Sequence, residues 1–492
     1  MFRNSQHIIK KSNNKRRVYF LFGVPLESLY QAIAADLSRH YGFTEFCGLV
    51  WGRSQLCFLD KREVNWSRVE IISDHIRQTL PSVKLDLDYL RSAEQKYGMP
   101  NFGLMICSDR WFGKKPYQWI LRFLQMSIQL VERMYEETQP DIVVIDPVAD
   151  LMSYLHYAIA VKKNIPCYSM SSGRILDRFA LCNNPYQLWQ RVDELFKRKL
   201  QHLLIPEELA RAEMFLKKFQ QEKNYKLINQ SNYLSLNFVK HQILGIARSI
   251  KNYLADPFNP IPLHPPQLIA AKFNRIIRLV MIQIFHYFEK PVAGEKYILY
   301  PLHFEPEAAT LILAPYFTDQ LSLIENISRS LPVGYKLYVK EHPVSVGRRS
   351  FFYYNRIRRL YNVRLIHPSS EVPSLIKNAA AVATISGTIG WEALLLGKTV
   401  ITFGQVCYNS YPLVVQARLQ PMEKWPEMFL GALKNNESYN KELLLKYISA
   451  VLEGTFPGIV GDAINSPKVL ESENIRKICD ALALVLGISG KE

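Results

Sequence analysis

Two segments in the second half of this sequence contain residue types that bind phosphate groups. The first is Lys340-Glu341-His342-Pro343, which follows the strand-like residues 336–339. Lysine and histidine side chains at the end of a strand can reach phosphate oxygens through charge-assisted hydrogen bonds. Pro343 ends strand pairing because it has no backbone N–H group. We therefore predict that Lys340, His342 and Pro343 contribute to an anion site, with an ordinary charged loop as the alternative.

The second segment is Ser386-Gly387-Thr388, which lies between a strand-like run and a helical pattern. Gly387 lets the backbone approach a ligand closely, and Ser386 or Thr388 could cap the helix. The free N–H groups and the dipole at a helix start favour a bound anion. Glu392 lies about one turn further along, where it could accept hydrogen bonds from ribose hydroxyls. A capped helix without a ligand explains the same residues, so both interpretations stay open.

Four further side chains could transfer protons or orient an acceptor. His303, Glu305 and Glu307 follow the first predicted strand of the second half, and Asp146 follows a predicted strand of the first half. Such groups can act as general acids or bases, and Asp146 also as a nucleophile. The alternatives are a polar loop for the first three and a helix cap for Asp146. No second ligand cluster accompanies them, so we predict no metal site.

Two arginines follow another predicted strand of the first half. Arg174 and Arg178 are one helical turn apart and come shortly after Ser171. Guanidinium groups suit a negatively charged donor or acceptor because they bind its oxygens bidentately. The sequence therefore predicts ligand contacts for Arg174 and Arg178, although a solvated helix face explains them as well.

The elements that must position these residues alternate between strands and helices. The predicted strands of the first half are residues 18–23, 102–107, 141–145 and 165–170, and those of the second half are 297–300, 336–339, 363–366, 381–385 and 399–403. Continuously apolar strands separated by helices indicate parallel sheets covered on both faces. Ligands bind such sheets at the carboxyl ends of the strands. We therefore predict an α/β fold with two Rossmann-like doubly wound domains.

Composition shifts along the chain predict its domain boundaries. The predicted parts are a disordered basic N-terminus (1–16), a first Rossmann-like domain (17–205), a helical insert (206–292), a second Rossmann-like domain (293–424) and C-terminal helices that return to the first domain (425–492). Within the insert, residues 275–288 are apolar with basic flanks. They predict either a helix packed on a domain or a helix at a membrane surface.

The overall composition limits the class of partner and compartment. The chain has 492 residues, a formal net charge of +17 and seven scattered cysteines without a CxxC pair. The charge favours anionic partners, but no nucleic-acid-binding motif occurs, and we predict no nucleic-acid partner. The sequence also lacks a P-loop, a GxSxG elbow and an HExxH motif. The basic, polar start differs from a signal peptide, so we predict a cytoplasmic protein, with peripheral contact at the inner face of the plasma membrane.

Several of these segments together resemble a known family. Residues 300–307, 338–343 and 386–393, with Gln320, resemble the bacterial capsule polysaccharide biosynthesis proteins. That family includes β-Kdo transferases with GT-B-like folds and CMP-Kdo as donor. The His-Pro and serine elements are also similar to those of bacterial sialyltransferases, which use CMP-activated sugars. The resemblance implies that His342, Ser386 and Thr388 contact nucleotide phosphates.

The resemblance also implies an activity. We expect a metal-independent glycosyltransferase of the GT-B type, with a nucleotide-sugar as donor substrate, no separate cofactor, and a glycan or glycolipid as acceptor. The sequence differs from the family pattern at His303, where a glutamine is more typical, and at Gly387, where a second serine is typical. A nucleotide-sugar epimerase or hydrolase, or a non-catalytic scaffold for polysaccharide synthesis or export, are the alternatives on the same fold.

Overall fold

The computed structural model describes residues 16–98, 101–112, 115–175, 177–221, 236–434 and 440–489, without the side chains of 236–242. The predicted basic N-terminal segment lies outside the described residues except for Arg16, which begins the first strand. Within the described residues the strands are β1 (Arg16–Phe22), β2 (Phe43–Val50), β3 (Trp66–Ile71), β4 (Ile142–Ile145), β5 (Cys167–Ser172), β6 (Arg178–Cys182), β7 (Tyr297–Pro301), β8 (Lys336–Lys340), β9 (Val363–Ile366), β10 (Ala381–Thr384), β11 (Val400–Thr402), β12 (Val414–Gln416) and β13 (Phe456–Pro457).

Helices cover both faces of the sheets that these strands form. They are α1 (Glu27–His40), α2 (Ile72–Gln78), α3 (Leu87–Tyr97), α4 (Phe102–Cys107), α5 (Tyr117–Thr138), α6 (Leu151–Lys162), α7 (Gln190–Leu200), α8 (Pro206–Gln221), α9 (Leu236–Ala255), α10 (Pro265–Phe285), α11 (Ala308–Leu311), α12 (Gln320–Ser330), α13 (Phe351–Arg358), α14 (Val372–Asn378), α15 (Thr388–Leu395), α16 (Trp425–Lys434), α17 (Lys441–Gly454) and α18 (Ser472–Leu486). In the part of the chain that the structure describes, no helix is both long enough and apolar enough to cross a membrane.

Both sheets are doubly wound, as predicted. The first has the order β13-β6-β5-β4-β1-β2-β3 and the second the order β12-β11-β10-β7-β8-β9. Strands β1 to β5 and β7 to β12 are parallel within their sheets. In each sheet the first strand of the domain lies between its second and its fourth, which is the strand order of a Rossmann domain. The order in which successive strands are added to the sheet therefore reverses beside β1 and beside β7, and such folds bind ligands at this point.

The central strands form because their side chains are apolar on both faces. Val18, Tyr19, Phe20, Leu21 and Phe22 of β1 are all buried, as a strand covered by helices on both sides requires. The same pattern occurs in β7, β8 and β10, whose residues are almost all buried. The sites at the carboxyl ends of these strands therefore stand on rigid elements.

One predicted strand is wrong. Residues 102–107 form α4, because the side chain of Asn101 accepts a hydrogen bond from the backbone N–H of Leu104 and caps the helix start. The strands next to β1 on that side are instead β2 and β3. The apolar run that suggested a strand is explained by burial of Phe102 and Met105 in the core of the first domain.

The C-terminal residues pack on the first domain. Strand β13 pairs antiparallel with β6, and α18 packs on α1 through contacts that include a hydrogen bond from the Cys479 thiol to the carbonyl of Ile33. Helices α8, α9 and α10 lie between the two sheets in sequence. The chain thus leaves the first domain after β6, builds the second domain, and returns.

Candidate functional site

The loops that follow β7 and β10 meet at the point where the strand order of the second sheet reverses. His303, two residues after β7, accepts a hydrogen bond at its Nε2 atom from the backbone N–H of Ser386, with an N to N distance of 3.3 Å. The backbone of His303 is held in turn by Gln320, which accepts from its N–H and donates to its carbonyl. Two of the three segments singled out in the sequence are therefore in direct contact.

The imidazole of His303 is buried and uncharged. Burial, together with the nearby His342 and Arg349, lowers its pKa to about 4. Because Nε2 accepts the Ser386 N–H, the ring proton lies on Nδ1. Within the described residues Nδ1 has no hydrogen-bond partner. A buried N–H group without a partner is rare in proteins and occurs at functional sites.

Helix α15 begins directly after the loop that follows β10. The structure corrects the predicted cap: the cap position is Gly387, which has no side chain to offer, rather than Ser386 or Thr388. The backbone N–H groups of the first helical turn therefore have no side-chain cap, which is the arrangement that binds anions. Thr388 is the first helical residue and is exposed, and Glu392 lies half-buried one turn later.

Gly387 is required by the close packing of its neighbours. A Cβ atom at this position would lie 2.9 Å from the Thr384 hydroxyl and 3.3 Å from Nε2 of His303. The Tyr408 hydroxyl donates to the carbonyl of Gly387 at 2.5 Å. The Ser386 hydroxyl donates to the carbonyl of Ala309 at 2.6 Å and so holds the start of α11. The Ser386-Gly387-Thr388 loop is therefore rigid.

His342 stands at the end of the neighbouring strand. Its Nδ1 accepts a hydrogen bond from the backbone N–H of Val344, and Pro343 begins the short turn that makes this contact possible. Burial and the charges of Lys340 and Arg349 lower its pKa, so the ring is neutral and carries its proton on Nε2. His342 is half-buried and presents Nε2–H as a donor suited to a phosphate oxygen.

Lys340 and Glu305 have structural partners, which corrects their predicted roles. The Lys340 ammonium is buried and donates to the carbonyl of Pro368 at 2.8 Å, and desolvation lowers its pKa to about 8. Glu305 pairs with Arg349, which also binds the fully buried Glu341 and the carbonyl of His303. The contacts of Arg349 brace the loops after β7 and β8, and Lys340 joins the end of β8 to the loop after β9.

On the first domain, Asp146 follows β4 and lies against the end of β1. Its carboxylate accepts a hydrogen bond from the Tyr30 hydroxyl and lies so close to Gly23 that a Cβ there would be 1.2 Å from Oδ2. Desolvation raises the pKa of Asp146 to about 7 against the opposing effect of the Tyr30 hydrogen bond. A carboxylate with a pKa near neutrality can both accept and return a proton.

Arg110 is a cleft residue that the sequence reasoning missed. Its positive charge opposes the rise in the pKa of Asp146 on the first domain and of Glu307 on the second, so it lies near both. The guanidinium stacks 4.7 Å from the ring of Trp111. The neighbouring Asp109 carboxylate accepts the backbone N–H groups of Trp111, Phe112 and Leu151 and fixes this loop. Nothing in the sequence marks Arg110, because it follows a helix whose strand-like pattern misled the prediction.

Glu307 and Arg174 face each other across the domains. Glu307 is accessible at the start of α11, its surroundings desolvate it enough to raise its pKa, and Arg110 and Arg174 oppose that rise. Arg174 lies in the turn between β5 and β6 with a left-handed φ of 55°. It also contacts the Cys407 thiol, whose pKa burial raises to about 11.

A pocket between the two domains contains two of the predicted residues, Arg174 and Ser386. Its walls come from the first domain (Ser171, Ser172, Arg174, Tyr186, Gln187 and Trp189) and from the second (Leu313, Ser386, Val406, Cys407 and Tyr408). A cation from one domain and the region of a helix N-terminus from the other thus line one space. The pocket is small, with a volume of about 20 Å³, and it marks where the two domains meet beside these residues.

Arg178 does not belong to this pocket, and its predicted role is wrong. Arg174 and Asp177 have a left-handed backbone conformation and Arg178 begins β6, so the two arginines do not share one helix face. The Arg178 guanidinium donates to the Thr455 hydroxyl at 2.8 Å and to the carbonyl of Leu452 at 2.5 Å. It fastens the end of α17 to the first domain.

Comparisons with known proteins agree with the resemblance seen in the sequence. Residues 287–439 match the family model described as capsule polysaccharide biosynthesis protein. The capsule polysaccharide export protein KpsS of Escherichia coli is 30% identical over 127 residues, which are 25% of this chain and 32% of KpsS. Protein FixF of Sinorhizobium fredii is 60% identical over 42 residues, which are 8% of this chain and 10% of FixF.

The chain therefore spans a third or less of the length of these two curated relatives. Among solved structures, the β-Kdo 2,7 transferase KpsC of Thermosulfurimonas dismutans has a TM-score of 0.36 and 14% identity, over 72% of this chain and 96% of that one. The matched region contains β7 to β12 with His303, His342 and Ser386. The similarity to the capsule polysaccharide biosynthesis protein family therefore lies in residues 287–439.

Proposed function

We propose that this chain is a glycosyltransferase that transfers a sugar from a nucleotide-activated donor to a glycan or glycolipid during capsule polysaccharide biosynthesis. The observation that carries the proposal is that Arg174 of the first domain and Ser386, in the loop before α15 of the second, line the same pocket. The match of residues 287–439 to the capsule polysaccharide biosynthesis model supports the biosynthetic context.

The second domain is the proposed binding site for the nucleotide. The N–H groups at the start of α15 and the Nε2–H of His342 would bind the phosphate that leaves with the nucleotide, and Arg174 would approach it from the first domain. Preorganised donors of this kind stabilise the negative charge that develops on a leaving group, here without a metal ion. A CMP-linked sugar is the proposed donor, because the His-Pro and serine elements resemble those of enzymes that use such donors.

The first domain is the proposed binding site for the acceptor. An acceptor hydroxyl oxygen would attack the anomeric carbon of the donor sugar while the bond from that carbon to the phosphate oxygen breaks. The bonding electrons leave with the nucleotide, and the hydroxyl proton passes to Asp146. The pKa of about 7 suits Asp146 to this step, and Glu307 is the second candidate for it. We further propose that the reaction takes place in the cytoplasm, at the inner face of the membrane when the acceptor is a glycolipid.

Product analysis tests this proposal. Purified protein is incubated with CMP-activated sugars and with UDP-activated sugars, each with and without a glycan or glycolipid acceptor, and products are identified by mass spectrometry. The proposal requires an extended acceptor and released nucleotide only when both substrates are present. A new nucleotide-sugar formed without an acceptor would instead indicate an epimerase, and free sugar formed at the same rate with or without the acceptor would indicate a hydrolase.

A further inference from the structure

Helix α10 presents a stripe of large apolar side chains to solvent. Ile269, Phe273, Ile277 and Ile284 have exposed fractions of 49%, 63%, 43% and 60%. Their spacing places them on one side of the helix, because residues three, four and seven apart share a face. Exposed apolar stripes of this kind indicate a surface that binds a partner.

The other side of α10 packs on the second domain. Leu279 and Ile282 are buried in its core. Arg275 and Arg278 donate to the backbone carbonyls of Val346 and Arg348, in the loop that follows His342. These contacts fix the orientation of the helix, so its apolar stripe points away from the protein. They also join the helix to a loop of the candidate site.

Helix α9 extends the same surface. It packs beside α10 and exposes Ile243, Leu244 and Leu254. Arg248 and Lys251 are exposed on the same helix, among these apolar side chains. We call residues 236–285, which comprise both helices and their connection, the α9–α10 hairpin.

The charge of the α9–α10 hairpin is almost entirely positive. Its sequence contains six basic residues (Lys240, Arg248, Lys251, Lys272, Arg275 and Arg278) and one acidic residue, Asp256. Asp256 is buried against the first domain, where it accepts hydrogen bonds from the Arg53 N–H and the Ser73 hydroxyl. The exposed face therefore combines apolar side chains with cations and carries no acidic side chain.

We propose that the α9–α10 hairpin binds the surface of a bilayer that contains anionic lipids. Apolar side chains such as Phe273 and Ile277 would enter the boundary between headgroups and acyl chains, while Arg248 and Lys251 would meet lipid phosphates. This binding does not depend on the proposed transferase activity. It would, however, hold the loop after His342 close to a lipid-linked acceptor.

Charge favours a lipid surface over a second copy of the chain. Two hairpins that met face to face would bring their cations together in a protein whose net charge is already +17. Like charges that approach in this way repel each other. An anionic surface removes this repulsion and attracts the whole molecule.

Vesicle flotation of the full chain tests the inference. The chain is mixed with vesicles of phosphatidylglycerol and phosphatidylcholine, or of phosphatidylcholine alone, and the fraction that floats is measured. We expect binding to the anionic vesicles, and a fall of at least about tenfold in partitioning for Phe273→Ser/Ile277→Ser and for Arg248→Glu/Lys251→Glu. The control Val333→Ser/Ile464→Ser removes apolar side chains that are even more exposed elsewhere and is expected to bind as the unaltered chain does.

Three results would overturn the inference: no binding to anionic vesicles, equal binding by the Phe273→Ser/Ile277→Ser variant, or a dimer in light scattering that this variant dissociates while vesicle binding stays absent. The last result would assign the surface to a second copy. Circular dichroism and the melting temperature verify that each variant is folded. Transfer to a water-soluble acceptor, which we expect to be unchanged in these variants, separates failure of this inference from failure of the proposed function.

Discussion

The Nε2 atom of His303 accepts the backbone N–H of Ser386 and thereby joins two loops that are 83 residues apart in sequence. One loop follows β7 and the other leads into α15, so this contact fixes the start of α15 relative to the sheet. Because His303 is neutral, it accepts this hydrogen bond throughout the physiological pH range. We interpret His303 as a positioning residue rather than the general base that the sequence suggested.

His303 variants test this positioning role. His303→Leu would leave the Ser386 N–H buried without a partner and is expected to weaken nucleotide binding about tenfold, which corresponds to one lost hydrogen bond. His303→Gln supplies an amide oxygen as acceptor and is expected to retain most of the affinity. The measurement is calorimetric titration with nucleotide. Equal affinities for the two variants would contradict the role assigned to the contact.

Gly387→Ala tests the close packing at the start of α15. The added Cβ would meet the Thr384 hydroxyl and the His303 ring, so the loop must shift, and we expect nucleotide affinity to fall about tenfold. The matched control is Gly431→Ala in α16, where no heavy atom lies within 4 Å of the new Cβ. This control is expected to bind normally and to melt at the same or a slightly higher temperature. Unchanged affinity in Gly387→Ala would exclude this loop from the site.

Asp146→Asn tests the proposed proton acceptor. The variant keeps the size and the Tyr30 contact but cannot take a proton, so we expect the transfer rate to fall by about 100-fold or more. In the unaltered chain the rate should rise as the pH increases through about 7, because the carboxylate becomes ionised there. If the transfer rate of Asp146→Asn equalled that of the unaltered chain, Glu307 would become the proposed proton acceptor.

The same substitution has a predicted effect on stability. A raised carboxyl pKa means that the folded protein binds a proton more tightly than the unfolded chain, so stability is lost as the pH rises from about 4 to about 7. Asp146→Asn removes this loss and should raise the melting temperature by about 2 to 4 °C at pH 8, with little difference at pH 4. The exposed Asp88→Asn serves as the control. A melting temperature that Asp146→Asn does not raise at pH 8 would contradict the pKa assigned to Asp146.

Arg174→Ala and Arg178→Ala separate ligand binding from structure. Arg178 binds the end of α17, so its removal is expected to lower the free energy of unfolding by about 2 kcal/mol while nucleotide affinity stays unchanged. Arg174 lines the interdomain pocket, so its removal should weaken nucleotide binding with little loss of stability. Denaturant unfolding and calorimetry measure the two effects. If Arg178→Ala weakened nucleotide binding and Arg174→Ala lowered only stability, the ligand would not lie in this pocket.

Much of the fold could be predicted because the central strands are continuously apolar. Strands β1, β4, β7 and β10 are buried on both sides, and that pattern is visible in the sequence. Residues 102–107 show why the pattern sometimes fails, since a short buried helix is as apolar as a buried strand. The cap by Asn101 decides between the two, and its effect depends on the fold around it.

The candidate site was only partly predictable. His342 and the Ser386-Gly387-Thr388 loop could be found because they follow strands at the edge where ligands bind. The engagement of Lys340 and Glu305 in internal contacts depends on Pro368 and Arg349, which are distant from them in sequence and which no motif pairs with them. Arg110 could not be found at all, because its position follows from the packing of its loop rather than from any motif.

We propose that the second domain binds a nucleotide through His342 and the start of α15. The most direct measurement is a thermal-shift series with CMP, UDP, GDP and CDP on the unaltered chain, His342→Ala and His367→Ala, a second histidine that precedes a proline at a neighbouring strand end. We expect CMP to raise the melting temperature of the unaltered chain and of His367→Ala, but not that of His342→Ala. A chain that no nucleotide stabilises, or an equal rise in His342→Ala, would contradict this proposal.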